Sequence, residues 1–340
     1  MRSPITFFLV LPLMLNAQRV LHFTKTSGFD HGTRDASFAM FTAIGNELDV
    51  EVDHDNDGST FDLLSDLIAY DVIVFSNTSG NAILDQQQRS NFEAWVAQGG
   101  NVLGIHAATD TYRHSSADGE GTGVWDFYAE LIGGSVQADP PHVAGTPLYS
   151  MSHIEPHPST ANIPDPWEKE EEYYYWLNGY LHPMIIPVLE VEQTVGPNGQ
   201  INSYDVHRAM SWYRVTAEGR IFYTALGHAI ANYTDDLLFR THIKDALIWL
   251  LGGPNSIAGN ETEQWTMIQD RASQILQIRT SPGSIGKMLR IHDMRGRCVI
   301  EKRITDGTLN ISTVGLSGAH YVSIGDQRPA RKIMLLPVDR

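Results

Sequence analysis

Three short runs that are apolar along nearly their whole length constrain this chain most: YDVIVFS (Tyr70 to Ser76), GNVLGI (Gly100 to Ile105) and RIFYT (Arg220 to Thr224). A strand with one face in water alternates polar and apolar residues. A strand apolar on both faces must be covered on both, which is the habit of parallel sheets in α/β proteins. Between these runs the period changes. From Asp35 onward Phe38, Phe41, Ile44 and Leu48 recur at helical spacing. Asp85 to Gln98 reads as a helix with Asp85 and Gln88 set for a capping box and Gly99-Gly100 as its stop. Val124 to Ile132 and Asp235 to Leu251 read as two more, closed by Gly133-Gly134 and by Gly252-Gly253-Pro254. Further strands are expected at Arg19 to Thr24 and Asp49 to Val52. The expected class is therefore α/β with a mostly parallel sheet. Residues 135–218 resist this reading, because proline, histidine and aromatic residues are dense there and strand signals are short.

The chain divides by composition. Residues 1–17 have a basic Arg2, an apolar run from Ile5 to Leu15 and a small residue, Ala17, before Gln18. That is the pattern of a secretory leader, and the run is too short for a comfortable bilayer span. Residues 18–253 form the α/β domain and 254–275 a polar linker. Residues 276–340 change to short strands (Lys287 to Ile291, Val299 to Ile304, Leu309 to Ile311, His320 to Ile324) with turns such as Met294 to Arg297, the mark of a small β-sandwich. The formal net charge is -16, yet residues 261–340 carry 12 Lys/Arg against 8 Asp/Glu. So acidic a main body excludes a nucleic-acid partner, which calls for a basic face. The single cysteine, Cys298, lies in the tail and removes thiol chemistry from the main domain.

Fourteen histidines are present, and position matters more than number. His106 follows a central strand, where open α/β sheets place their ligands. His31, in the loop Gly28-Phe29-Asp30-His31, follows the first strand, and His228 follows Tyr223-Thr224-Ala225-Leu226-Gly227. Three histidines after three strands can converge in one crevice. Glu171-Glu172-Tyr173-Tyr174-Tyr175-Trp176 sets carboxylates against rings, a combination suited to sugars, whose C–H faces stack on aromatics while hydroxyls bond to carboxylates. Trp212 is a further candidate ring. Neutral histidine and glutamate suit acid–base work near neutral pH, and three histidines with a glutamate can also hold a divalent metal. His153 and His157 are four apart, but Pro156 and Pro158 forbid the helix that would align them. No HExxH or cysteine-based zinc pattern, no G-x-S-x-G elbow, and no G-x-G-x-x-G after the first strand is found.

Taken in order, these motifs resemble the ThuA-like (trehalose utilisation) family from about Val20 to Gly253: GFDH at 28–31, YDVIVF at 70–75, GIHAATD at 104–110, His157-Pro158, EEYY at 171–174, His207 through Trp212, and Tyr223 through His228. The resemblance implies a three-layer fold like the class I glutamine amidotransferases, with His106 at the position of their cysteine nucleophile. Histidine there argues against glutamine hydrolysis. Two departures are Glu171, where the family usually has Asp, and Arg208-Ala209, where His-Pro is common. The last 65 or so residues resemble a type IX secretion sorting domain, through Met294-Arg295-Gly296-Arg297 and Leu316-Ser317-Gly318-Ala319-His320-Tyr321-Val322. The implied partner is that secretion machinery, and the implied location is secreted or surface-attached.

The leading expectation is a carbohydrate-active protein working on trehalose-like or keto-sugar glycosides. His106 or Glu172 would be the base and His31 and His228 would polarise the oxygen; Phe29, Asp110, Tyr174, His207 and Trp212 would touch the sugar. The alternatives are a non-catalytic carbohydrate-binding module and a metal-dependent glycoside hydrolase.

Overall fold

The computed structural model describes residues 18–216, 219–252, 265–270, 274–280, 284–293, 297–316, 318–324 and 331–335. The leader, residues 1–17, and most of the expected turn at Met294 to Arg297 lie outside the described residues. The chain forms two compact units, 1–255 and 256–340.

The first unit begins with β1 (Arg19–Phe23), α1 (Arg34–Leu48), β2 (Glu51–Asp55), α2 (Leu64–Leu67), β3 (Val72–Ser76), α3 (Gln86–Ala97), β4 (Asn101–Ile105) and α4 (Asp126–Ile132). It continues with β5 (Gly134–Ser135), β6 (Leu148–His153), β7 (Trp167–Glu170), β8 (Tyr180–Leu181), β9 (Ile186–Val191) and β10 (Arg208–Val215). It closes with β11 (Arg220–Thr224), α5 (Ile230–Thr234) and α6 (Leu237–Leu250). Nine strands make one sheet in the order β2-β1-β3-β4-β11-β10-β9-β6-β7. The neighbours from β2 to β11 run parallel, and those from β11 to β7 run antiparallel.

All of β3 is buried, as its unbroken apolar sequence requires. Adjacent residues of β1 show the two covered faces. The His22 ring lies 5.0 Å from Phe41 of α1, while Phe23 lies 4.7 Å from Phe61 and 5.5 Å from Phe75, which meets Phe92 of α3 at 5.3 Å. Strand alternation sends neighbours to opposite faces, so α1 and α3 lie on opposite sides of the sheet. Each such apolar side chain contributes about 1.5–3 kcal/mol by its burial. α3 starts where the sequence placed it, with Asp85 accepting from the Gln88 amide and the Gln88 side chain accepting from the Asp85 amide.

The difficult stretch 135–218 is the antiparallel wing. Two register shifts between β9 and β10, around Ala209, Ser211 and Trp212, break the period of two that would mark β10 in the sequence. The second unit pairs an antiparallel sheet of β12 (Trp265–Asp270), β13 (Ile275–Thr280) and β16 (Thr308–Ser312) with another of β14 (Met288–Asp293), β15 (Cys298–Arg303), β17 (Gly318–Ile324) and β18 (Arg331–Leu335). Leu276, Ile278, Leu289, Ile291, Ile311 and Val322 are among the residues of their common core. β12 falls inside the stretch read as linker; pairing along its whole length with β13 makes it part of the sandwich.

Candidate functional site

Four elements deliver side chains to the carboxyl edge of the parallel strands. β4 ends at Ile105, and His106 then takes φ +48°, a left-handed conformation that costs a non-glycine residue roughly 1–3 kcal/mol. The turn is held from two sides. His106 Nδ1 donates to the Ala225 carbonyl at 2.7 Å, and the Tyr223 hydroxyl donates to the His106 carbonyl at 2.8 Å. β11 thus fixes the ring that β4 presents. Its own exit passes through Gly227, at φ +113°, to His228. His31 comes from the loop after β1. Glu172 comes from the antiparallel wing, in an extended segment whose alternation puts Glu172 and Tyr174 on one side and Glu171 and Tyr173 on the other.

The His106 Nε2 atom is 3.1 Å from His31 Nε2, 3.2 Å from Glu172 Oε2 and 3.0 Å from the Tyr174 hydroxyl. Glu172 Oε2 is 3.3 Å from His228 Nδ1 and 4.0 Å from His31 Nε2. One donor atom from each of His31, His106, Glu172 and His228 lies within 4.8 Å of all the others. Ligands held about 2.0–2.1 Å from a tetrahedral ion sit about 3.4 Å apart, so the set fits a single divalent cation. The tautomer fits as well. With Nδ1–H bound to a backbone carbonyl, neutral His106 turns a lone pair toward a carboxylate and another imidazole, an arrangement that a shared cation relieves. Among the described residues, the buried His31 Nδ1 has no hydrogen-bond partner.

Electrostatics follow the same geometry. Burial works to raise the Glu172 carboxyl, but the imidazoles of His106, His228 and His31 that surround it outweigh burial and hold the group well below the usual carboxylate range. His31 is lowered, chiefly by burial. His228 is raised, chiefly by the Glu172 carboxylate 3.3 Å from its Nδ1. Burial raises the Asp110 carboxyl against the pull of Arg113.

The cluster opens on a cleft of about 670 Å³ lined by Phe29, Asp110, Arg113, His142 and Tyr174, among others. Phe29 is 66% exposed and meets His31 edge-on at 4.8 Å. The expected contacts Phe29, Asp110 and Tyr174 are thus gathered with the four central residues. Two others are not. Trp212 is fully buried, its indole donating to the Ile132 carbonyl at 2.8 Å and packing on Tyr223, so it is a core residue and offers no face to a sugar. The exposed His207 side chain lies 3.8 Å from Glu190 and is absent from the cleft lining. Its neighbour Arg208 is the buried one, donating through Nε to the Tyr174 carbonyl at 2.6 Å. Sequence reasoning missed His142, whose Nε2 is 3.0 Å from Glu172 Oε1. It stands in the irregular run Asp139-Pro140-Pro141-His142, where no period marks it.

An open α/β sheet with a histidine–carboxylate cluster at its carboxyl edge defines the class. The ThuA family, described as trehalose utilisation, matches residues 19–250, and the chain belongs to it. No curated protein matches. Among solved structures the chain is similar to a ThuA-like protein from Bacteroides uniformis ATCC 8492, at 17% identity and a TM-score of 0.56 over 73% of this chain and 95% of that one. It is also similar to one from Parabacteroides merdae ATCC 43184, at 16% identity and a TM-score of 0.53 over 71% of this chain and 93% of that one. At these identities the likeness is one of fold.

Proposed function

We propose that this is an exported carbohydrate-active protein whose cleft binds a sugar beside a divalent cation held by His31, His106, Glu172 and His228. The observation that carries the reading is the meeting of three imidazole nitrogens and a carboxylate oxygen at ligand spacing, at the base of a cleft with an exposed aromatic ring. The family's tie to trehalose utilisation supports the substrate class. When bound, the ion would polarise a sugar carbonyl or hydroxyl oxygen. As ligands, His106 and Glu172 have their lone pairs engaged and are not the bases. Asp110, raised by burial, is the side chain best placed to hold or deliver a proton in the cleft. Phe29 offers the stacking face. Export is supported by the leader pattern of residues 1–17 and by the sandwich unit, whose sequence resembles a sorting domain. Fractionating cells that carry the chain with and without residues 256–340 tests it; equal surface delivery of both would remove the export role of that unit.

The test of the site is elemental analysis of the untagged full chain, followed by incubation with oxidised and unoxidised disaccharides with and without a chelator. About one divalent ion per chain is expected, with sugar turnover lost on chelation. Protein that takes up no metal and handles sugars equally well in chelator would return the site to metal-free acid–base chemistry. Tight but unaltered sugar would make it a binding module.

A further inference from the structure

The carboxylate next to the cluster is more deeply buried than the one inside it. Glu171 is 1% exposed and faces away from the cleft. Its oxygens accept from the Gly227 amide at 2.9 Å, the His228 amide at 3.3 Å, the Glu172 amide at 3.0 Å and the Asn232 side-chain amide at 2.7 Å. Lys169 Nζ stands 3.8 Å away and is itself bonded to Asp236, the residue that caps α6, at 2.6 Å. Glu172 and His228 reach the cluster from different parts of the fold, one from the antiparallel wing and one from the exit of β11. Glu171 is a single group bonded to the backbone of both.

We infer that Glu171 is a positioning residue: its carboxylate fixes the spacing between Glu172 and His228 and so sets how well the cluster grips a cation. This rests on the metal reading of the site. A carboxylate is required because only an ionised group accepts four donors at once, and charge-assisted bonds are the stronger ones. Replacing it with an amide turns acceptor capacity into donors that face N–H groups. Loss of an outer partner of a metal ligand typically costs 10–100-fold in metal affinity.

The experiment is a Zn²⁺ competition titration and a Co²⁺ absorption spectrum on the full chain. It uses wild type, Glu171→Gln, and the double variant Glu171→Gln/Lys169→Gln, which also removes the cation 3.8 Å from Glu171 and leaves Asp236 its bond from the Phe239 amide. His228→Ala is the reference for a lost ligand. Folding of each metal-free protein is checked by circular dichroism. The expected result is a 10–100-fold weaker Zn²⁺ affinity in both folded Glu171 variants, with Co²⁺ bands displaced toward those of His228→Ala. Wild-type affinity and wild-type bands in either folded variant would overturn the positioning role while leaving the cation site intact. Failure of the wild-type chain to take up Zn²⁺ or Co²⁺ would overturn the metal reading and this inference with it.

Discussion

Trp212 occupies room made for it by two glycines: a Cβ at Gly133 would lie 2.8 Å from its Nε1 and one at Gly134 3.0 Å from its six-membered ring. With its indole N–H bonded to Ile132 as well, the side chain serves α4 and β10 rather than a ligand. Trp212→Ala should therefore cost about 3–5 kcal/mol of stability, read from denaturant unfolding, while sugar affinity per folded molecule stays at the wild-type value. A selective loss of sugar affinity would return Trp212 to the binding surface. His207→Ala makes the contrasting case. Its exposed ring lies 3.8 Å from Glu190 and outside the cleft lining, so stability should move by less than about 0.5 kcal/mol and metal uptake not at all. Glu172→Ala should abolish stoichiometric metal uptake, because it removes the one oxygen that two or more of the imidazoles share.

Elements that present a period to the sequence were the legible ones. β3, α3 and β11 stand where apolar runs and caps place them, and the carboxyl edge gathers His31, His106 and His228 because each follows a parallel strand. The wing was not legible for two reasons. Its register shifts at β10 erase alternation, and the Glu171–Trp176 segment is extended without continuous pairing, so the family resemblance, and no period, picks Glu172 over Glu171 as the glutamate that faces the cleft. Spacing likewise gives no sign of His142 or of the support that Glu171 lends to two backbones. The exit of β11 shows how tightly an element's end is tied to the site. A Cβ at Gly227 would stand 2.8 Å from the Tyr233 hydroxyl and 2.9 Å from Ile105 Cγ2, with φ already at +113°. Gly227→Ala should cost about 1–3 kcal/mol in thermal unfolding and, by shifting the next residue, weaken Zn²⁺ binding as well. A destabilised variant with wild-type Zn²⁺ affinity would show that His228 is held independently of its turn.

For the first unit as a whole, pH sensitivity is written into buried imidazoles that belong to the core and not to the cleft. Burial holds His22 at about 3, helped by His54, and holds His157 at about 3 and His242 at about 4. His157 lies between the rings of Tyr213, Phe222 and Trp249, and His22 bonds to Ser37 through Nε2 while its Nδ1 has no partner among the described residues, so both pack as neutral rings. The unfolded chain protonates each near 6.5. Below that pH the unfolded state binds protons that the folded state refuses, so the stability these residues contribute is complete above 6.5 and falls as pH drops toward 4. Each group loses about 1.4 kcal/mol per pH unit in that window. His228 is shifted upward and works in the opposite sense: its contribution builds as pH falls toward 6.5 and is complete below it. Loss from the depressed Glu172 carboxyl begins only below its ordinary value near 4.5. Urea unfolding of the metal-free chain between pH 7.5 and 5 therefore isolates the histidines. Stability should hold between pH 7.5 and 6.5 and decline below 6.5, and His22→Gln or His242→Gln, less stable at pH 7.5, should each decline less steeply below 6.5 by about 1.4 kcal/mol per unit. If both variants track the wild-type slope, those rings are protonated in the folded core, and the packing that makes them neutral has been misread.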